Sequence, residues 1–131
     1  MDTNYDAQEV TRAVRYIEQG KNDPTGQIIK LFEGIVQLVA DNNRRGCLLC
    51  TTLVENEDND PDIARAAMAS LARMRTAFQN ILEQEFSKDQ SVALAHLLTT
   101  QYLGMRLFTR TQMPVESFQQ NLVAIKRILA A

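Results

Sequence analysis

Cys47 and Cys50 stand three residues apart in the run Arg44-Arg45-Gly46-Cys47-Leu48-Leu49-Cys50-Thr51-Thr52-Leu53-Val54-Glu55, a C-x-x-C spacing that can serve thiol redox chemistry or zinc. On a helix two such cysteines share one side, and a disulfide between them needs the helix to begin there. A thioredoxin-type site also needs strands alternating with helices, a pattern the chain lacks. Zinc asks for about four ligands; there is no second C-x-x-C, and His96 is the only histidine. Buried, inert thiols are the default reading. His96 has no nucleophile or carboxylate at a spacing that makes a catalytic pair, and is read as structural. The acids Glu55, Glu57, Asp58, Asp60 and Asp62 crowd one polar stretch without the glycine and ligand spacing of a calcium loop, so they read as solvated. No phosphate-cradling glycine loop, Gly-x-Ser-x-Gly or paired-acid arrangement is present. The residue types argue against an enzyme and call for no metal and no cofactor.

The elements that would carry these residues are helical. Ala7, Val10, Val14 and Ile17 repeat at helical spacing, and Gly20 stands where a left-handed C-cap would close a first helix. Asp23-Pro24 supplies an N-cap and first-turn proline for a second helix with the stripe Ile28, Leu31, Phe32, Ile35, Leu38 and Val39, ending at Asp41-Asn42-Asn43. The apolar run from Cys47 to Val54 suits a buried strand or a short buried helix on periodicity alone, and its helical neighbours favour a helix. Asp60-Pro61 repeats the cap-plus-proline start ahead of Ile63, Ala67, Ser70, Leu71, Met74, Phe78, Ile81 and Leu82, which carry a helix to about Phe86. Ser87-Lys88-Asp89-Gln90 reads as a capping box. The helix it opens is apolar on two sides, with Leu94, Leu97, Met105 and Phe108 on one and Val92, Leu98, Tyr102 and Leu103 beyond it. Pro114 starts a last helix whose Phe118, Leu122, Ile125 and Leu129 are spaced like a packing seam.

With 131 residues, 45% of them hydrophobic, and only 5 Gly and 3 Pro, the chain is expected to form a single all-α domain spanning residues 1–131, a bundle of about six helices. A net charge of -2, from 14 basic and 16 acidic residues, does not steer a protein onto phosphate backbones. No apolar run reaches the ~18 residues of a membrane span, and acid stands near Met1 where a signal peptide carries base. No membrane contact is expected, and the cytoplasm is the expected compartment.

Arg45-Gly46-Cys47-Leu48-Leu49, then Glu55, then Asp60-Pro61, resembles the "RGCLL…E…D" signature in the regulatory half of TetR-type transcriptional repressors. The resemblance extends over nearly the whole chain in the order of its helices. It implies a regulatory domain that binds a small apolar effector and forms a homodimer through a four-helix bundle of the last two helices of each subunit. The helix-turn-helix that the family places ahead of this half is missing from these residues, so no direct nucleic-acid contact is expected of them. The first helix, roughly Tyr5 to Gln19, corresponds to the helix leading to the DNA-binding part, and is expected to be the least protected from hydrogen exchange. Phe32, Ile35, Met68, Met74, Phe78 and Tyr102, with Cys50 and Leu53, are the expected effector-pocket lining, although such stripes are also ordinary core. Leu94, Leu97, Gln101, Gly104, Met105 and Phe108, with Phe118, Leu122, Ile125 and Leu129, are the expected dimer interface. There Gly104, costly in a helix by about 1 kcal/mol, would admit close helix approach. The alternative is a non-catalytic helical interaction dimer, or a bundle without any ligand.

Overall fold

The computed structural model describes residues 3–42 and 61–130, and all regular structure among them is helical. Five helices follow in order: α1 (Thr3–Glu18), α2 (Pro24–Ala40), α3 (Pro61–Leu82), α4 (Lys88–Phe108) and α5 (Val115–Ala130). The expected helix around Cys47 to Val54, together with the whole "RGCLL" motif, Glu55 and Asp60, lies outside the described residues.

Local chemistry sets the helix ends. Asp23 caps α2, its Oδ1 accepting from the Gly26 amide at 3.1 Å, and Pro24 occupies the first turn, where no amide donor is needed. Asn42, with φ of 61°, closes α2 in the left-handed region that asparagine tolerates better than most residues. The Ser87 capping box is complete: Ser87 Oγ accepts from the Gln90 amide and Gln90 Oε1 accepts from the Ser87 amide, each at 3.2 Å. Gly20 departs from expectation, because its backbone is not left-handed. A Cβ there would collide with the Gln27 side chain and lie 2.9 Å from Ile81 Cδ1, so glycine is required by the close approach of α2 and α3 to the turn.

Helices α3 and α4, joined by the short turn at residues 83–87, pack along one another; α1 lies on α3 and also meets α2, while α5 lies on α2. Each contributes one face to the core. Val10, Ala13 and Ile17 come from α1, Ile28, Phe32, Ile35 and Val39 from α2, and Met74, Phe78 and Leu82 from α3; Leu98, Tyr102 and Met105 of α4 and Phe118, Ile125 and Leu129 of α5 complete it. A fully buried Val or Ile side chain is worth about 1.5–3 kcal/mol, so Val10 and Ile17, with Ala13 between them, make α1 an integral layer.

Side-chain hydrogen bonds link separate elements of the bundle. Arg73 Nη2 donates to Thr11 Oγ1, Thr25 Oγ1 donates to Glu85 Oε2, both at 2.8 Å, and Gln27 Nε2 donates to the Tyr16 carbonyl at 2.7 Å. The least exposed charged contact joins Glu9 of α1 to Arg106 of α4.

Candidate functional site

On the inner side of α2, Phe32 stacks on Phe78 with ring centres 6.4 Å apart and planes at 15°, and meets Tyr102 edge-on at 6.4 Å and 77°. Such offset and T-shaped pairs add about 0.5–1.5 kcal/mol beyond area burial. Three of the residues expected in an effector pocket thus touch one another in the core, with Met74 and Ile35 buried in the same cluster. They fill this part of the bundle with side chains. Met68 is not among them. It is 54% exposed, because Ala67 takes the inward position on α3 and the next residue is turned away by about 100°. Cys50 and Leu53 lie outside the described residues.

Beside this cluster, α1, α2 and α4 frame an open cleft of about 390 Å³. Its lining is Glu9, Arg12, Ala13 and Tyr16 from α1, Leu31, Gly34, Ile35 and Leu38 from α2, and Tyr102 and Arg106 from α4. Of the residues expected from the sequence, Ile35 and Tyr102 line it. The others were missed, although the spacing carried a signal. Residues 9, 12, 13 and 16 recur at one-face intervals, as do 31, 34, 35 and 38, and Leu31 and Leu38 widen the apolar stripe of α2 beyond what the core consumes. Gly34 faces open space: a Cβ there would meet nothing within 4 Å.

Two of the charged residues of the cleft, Glu9 and Arg106, pair with each other. Glu9 Oε1 accepts from Arg106 Nε at 3.1 Å and also from Nη2, with the two side chains 17% and 13% exposed. Glu9 Oε2 is buried without a hydrogen-bond partner. A larger groove of about 550 Å³ runs between α1 and α3, lined by Val14, Glu18, Lys21, Arg73, Asn80 and Gln84 among others. It is the weaker candidate despite its size. Its lining mixes both charge signs with amides around no buried polar group, whereas the α1/α2/α4 cleft joins an apolar wall to a buried carboxylate.

The residues expected at a dimer interface divide into two sets. Phe118, Ile125, Leu129 and Met105 are buried in the core of the single chain, and Leu122 packs half-buried against it. The seam in α5 is thus spent on α2, which leaves those four almost no surface to offer. Leu97 and Phe108 are exposed, while Leu94, Gln101 and Gly104 are half-buried. A Cβ on Gly104 would also meet nothing within 4 Å, so among the described residues no other helix approaches it closely. Between α4 and α5 runs a shallow groove of about 90 Å³ floored by Leu98 and Ile125 and edged by Leu97, Gln101, Asn121, Ala124 and Ile128. The sequence reading missed Ala124 and Ile128. They form a second stripe on α5, turned from the Phe118 seam by one residue.

His96 is exposed on α4, and among the described residues no three His, Cys, Asp or Glu side chains come together as a metal set. Among the described residues the arrangement is a helical bundle with open clefts between its helices and with most of its exposed large apolar side chains on α4 and α5. Compared with known proteins, the chain matches no family model, no curated protein sequence and no solved structure.

Proposed function

We propose that this chain is the effector-binding and dimerisation domain of a TetR-like transcriptional regulator, acting on DNA through a helix-turn-helix outside these residues. The observation that carries the reading is where apolar surface stays uncovered. Of the six large hydrophobic residues exposed among the described residues, Leu97, Leu107, Phe108, Val123 and Ile128 lie on α4 and α5, and only Met68 lies elsewhere. Exposed apolar surface concentrated on two helices marks an interaction site, and a two-fold pairing of these helices buries it in the manner expected of the family. The "RGCLL…E…D" resemblance and the order of the helices support the same assignment.

The effector occupies the α1/α2/α4 cleft in this reading. Glu9, Arg12, Ala13 and Tyr16 put α1 directly against it, so an occupant that favours one position of α1 shifts the equilibrium between two arrangements of the attached DNA-binding parts. Differential affinity for the two arrangements is all such a switch requires. The packed Phe32, Phe78 and Tyr102 cluster favours a second reading, a helical interaction dimer that takes no effector.

Native mass spectrometry of the protein as purified separates them. A dimer carrying a small molecule that leaves on activation supports the effector reading, and a dimer without one favours the second. A monomer at micromolar concentration refutes the pairing of α4 and α5.

A further inference from the structure

Resting on the reading of the α1/α2/α4 cleft as an effector site, the side chains around Glu9 narrow the chemistry of what enters it. A carboxylate offers about four acceptor positions. Glu9 uses Oε1 for Arg106, and Oε2 is shut from water with no partner. An orphaned acceptor of this kind is costly, and a ligand that donates to it recovers the loss. The floor beside it is Leu31, Ile35 and Leu38, which suits an alkyl or aryl body.

Charge decides what kind of donor fits. Among the described residues that line the cleft, Arg12 and Arg106 are basic and Glu9 is acidic. A cationic amine would enter a cleft lined by two arginines. A carboxylate or other fully deprotonated anionic group has no hydrogen to give Oε2 and would sit beside the Glu9 carboxylate. A neutral hydroxyl avoids both conflicts. We infer that the cleft binds a neutral, mainly apolar molecule through one hydrogen bond donated by a hydroxyl or amide N–H to Glu9 Oε2. Interface side chains commonly change rotamer on binding, and such a change in the open cleft wall uncovers Oε2.

A matched pair of probes tests this: 4-butylphenol, which donates, and 4-butylanisole, its methyl ether, which does not, with 4-butylbenzylamine as the cationic control. Calorimetric titration of the full chain at neutral pH is expected to give the phenol an affinity roughly tenfold or more above the ether, as for hydrogen bonds to charged groups. The amine is expected to bind more weakly than the phenol. In Glu9→Gln, Arg106 can only donate and therefore keeps the amide oxygen, which turns the amide nitrogen toward the ligand. Oxygen atoms of both probes can accept from it, so the preference for the phenol falls to about onefold. Gly34→Leu adds a side chain where the structure leaves room and removes a helix-weakening glycine, so the variant folds, and both probes lose roughly tenfold or more by obstruction.

Equal affinities in the wild type, both reduced by Gly34→Leu, overturn the inference while leaving an effector cleft in place, and are the result expected if water alone satisfies Oε2. Binding indifferent to Gly34→Leu, or no binding of either probe at millimolar concentration, also overturns it. A monomer in native mass spectrometry instead sinks the regulator reading and leaves the phenol-to-ether ratio to stand on its own.

Discussion

Ile125 and Ile128 lie three residues apart on α5, and the same substitution at the two positions is expected to do different things. Ile125 is 3% exposed in the seam against α2; Ile128 is 39% exposed at the edge of the α4/α5 groove. Ile125→Glu forfeits the burial of one isoleucine, about 1.5–3 kcal/mol, and forces a carboxylate into an apolar layer. Desolvating an unpaired charge costs several kcal/mol more, even after the structure relaxes. The sum, roughly 5 kcal/mol or above, is comparable with the whole stability of a domain, about 5–15 kcal/mol. Ile128→Glu leaves the carboxylate in water in the isolated chain and costs it no more than about 1 kcal/mol. Across the proposed two-fold it sets a charge against an apolar partner surface and blocks pairing. Circular dichroism melts combined with light scattering after size exclusion read both effects. Ile125→Glu should be unfolded or melt far below wild type, and Ile128→Glu should be a folded monomer. The reasoning about α5 is refuted if Ile125→Glu keeps the wild-type melting temperature, and the pairing is refuted if Ile128→Glu remains a dimer.

Two serines at the start of α4 should respond in opposite directions. Ser87→Ala removes the cap bonded to Gln90 and is expected to destabilise by about 1 kcal/mol. Ser91→Ala removes a fully buried hydroxyl that has no partner, and is expected to stabilise by about 1 kcal/mol, raising the melting temperature by roughly 4 °C. A loss of stability in Ser91→Ala would show that this hydroxyl is bonded after all. Gly20→Ala is expected to cost about 1–3 kcal/mol in denaturant unfolding, because the new methyl overlaps Gln27 and crowds Ile81; a neutral result would mean that the α1–α2 turn shifts freely. Arg106→Met strands the Glu9 carboxylate and is expected to cost about 3 kcal/mol. Adding Glu9→Met to it should restore most of that loss, and a double mutant no better than the single would exclude the ion pair as the cause.

Helix positions were readable because their signals are local. Asp23-Pro24, Ser87 with Gln90, and the 3-and-4 spacing of apolar residues each act within one or two turns, and those helices form where the spacing places them. What a helix face packs against is not local. The Phe118, Ile125 and Leu129 stripe reads equally well as an interface or as core, and only the position of α2 assigns it to the core. Gly20 was misread for a similar reason, since the groups that exclude a Cβ come from residues 27 and 81. The Glu9–Arg106 pair was invisible, because nothing near either residue announces a partner 97 positions away. Phe32 meets both Phe78 and Tyr102, but composition cannot distinguish a lined hole from a filled one.

The distance along the chain between Glu9 and Arg106 has a consequence during synthesis. Helix α1 is the earliest described helix to be made, yet α2 and α3, its main packing partner, are made after it, and Arg106 of α4 later still. At a translation rate of about 5–20 residues per second, the 97 residues separating the ion-pair partners take roughly 5–20 seconds to add. For that interval α1 is an apolar strip waiting for its seat, open to chaperones and proteases, while α3 and α4 can close on each other across a short turn as soon as both are made. Ribosome-stalled chains should therefore show α1 cut readily by protease when they stop before Tyr102, and protected once Arg106 has cleared the exit tunnel. Protection already present before α3 has been made would mean that α1 and α2 are stable as a pair by themselves.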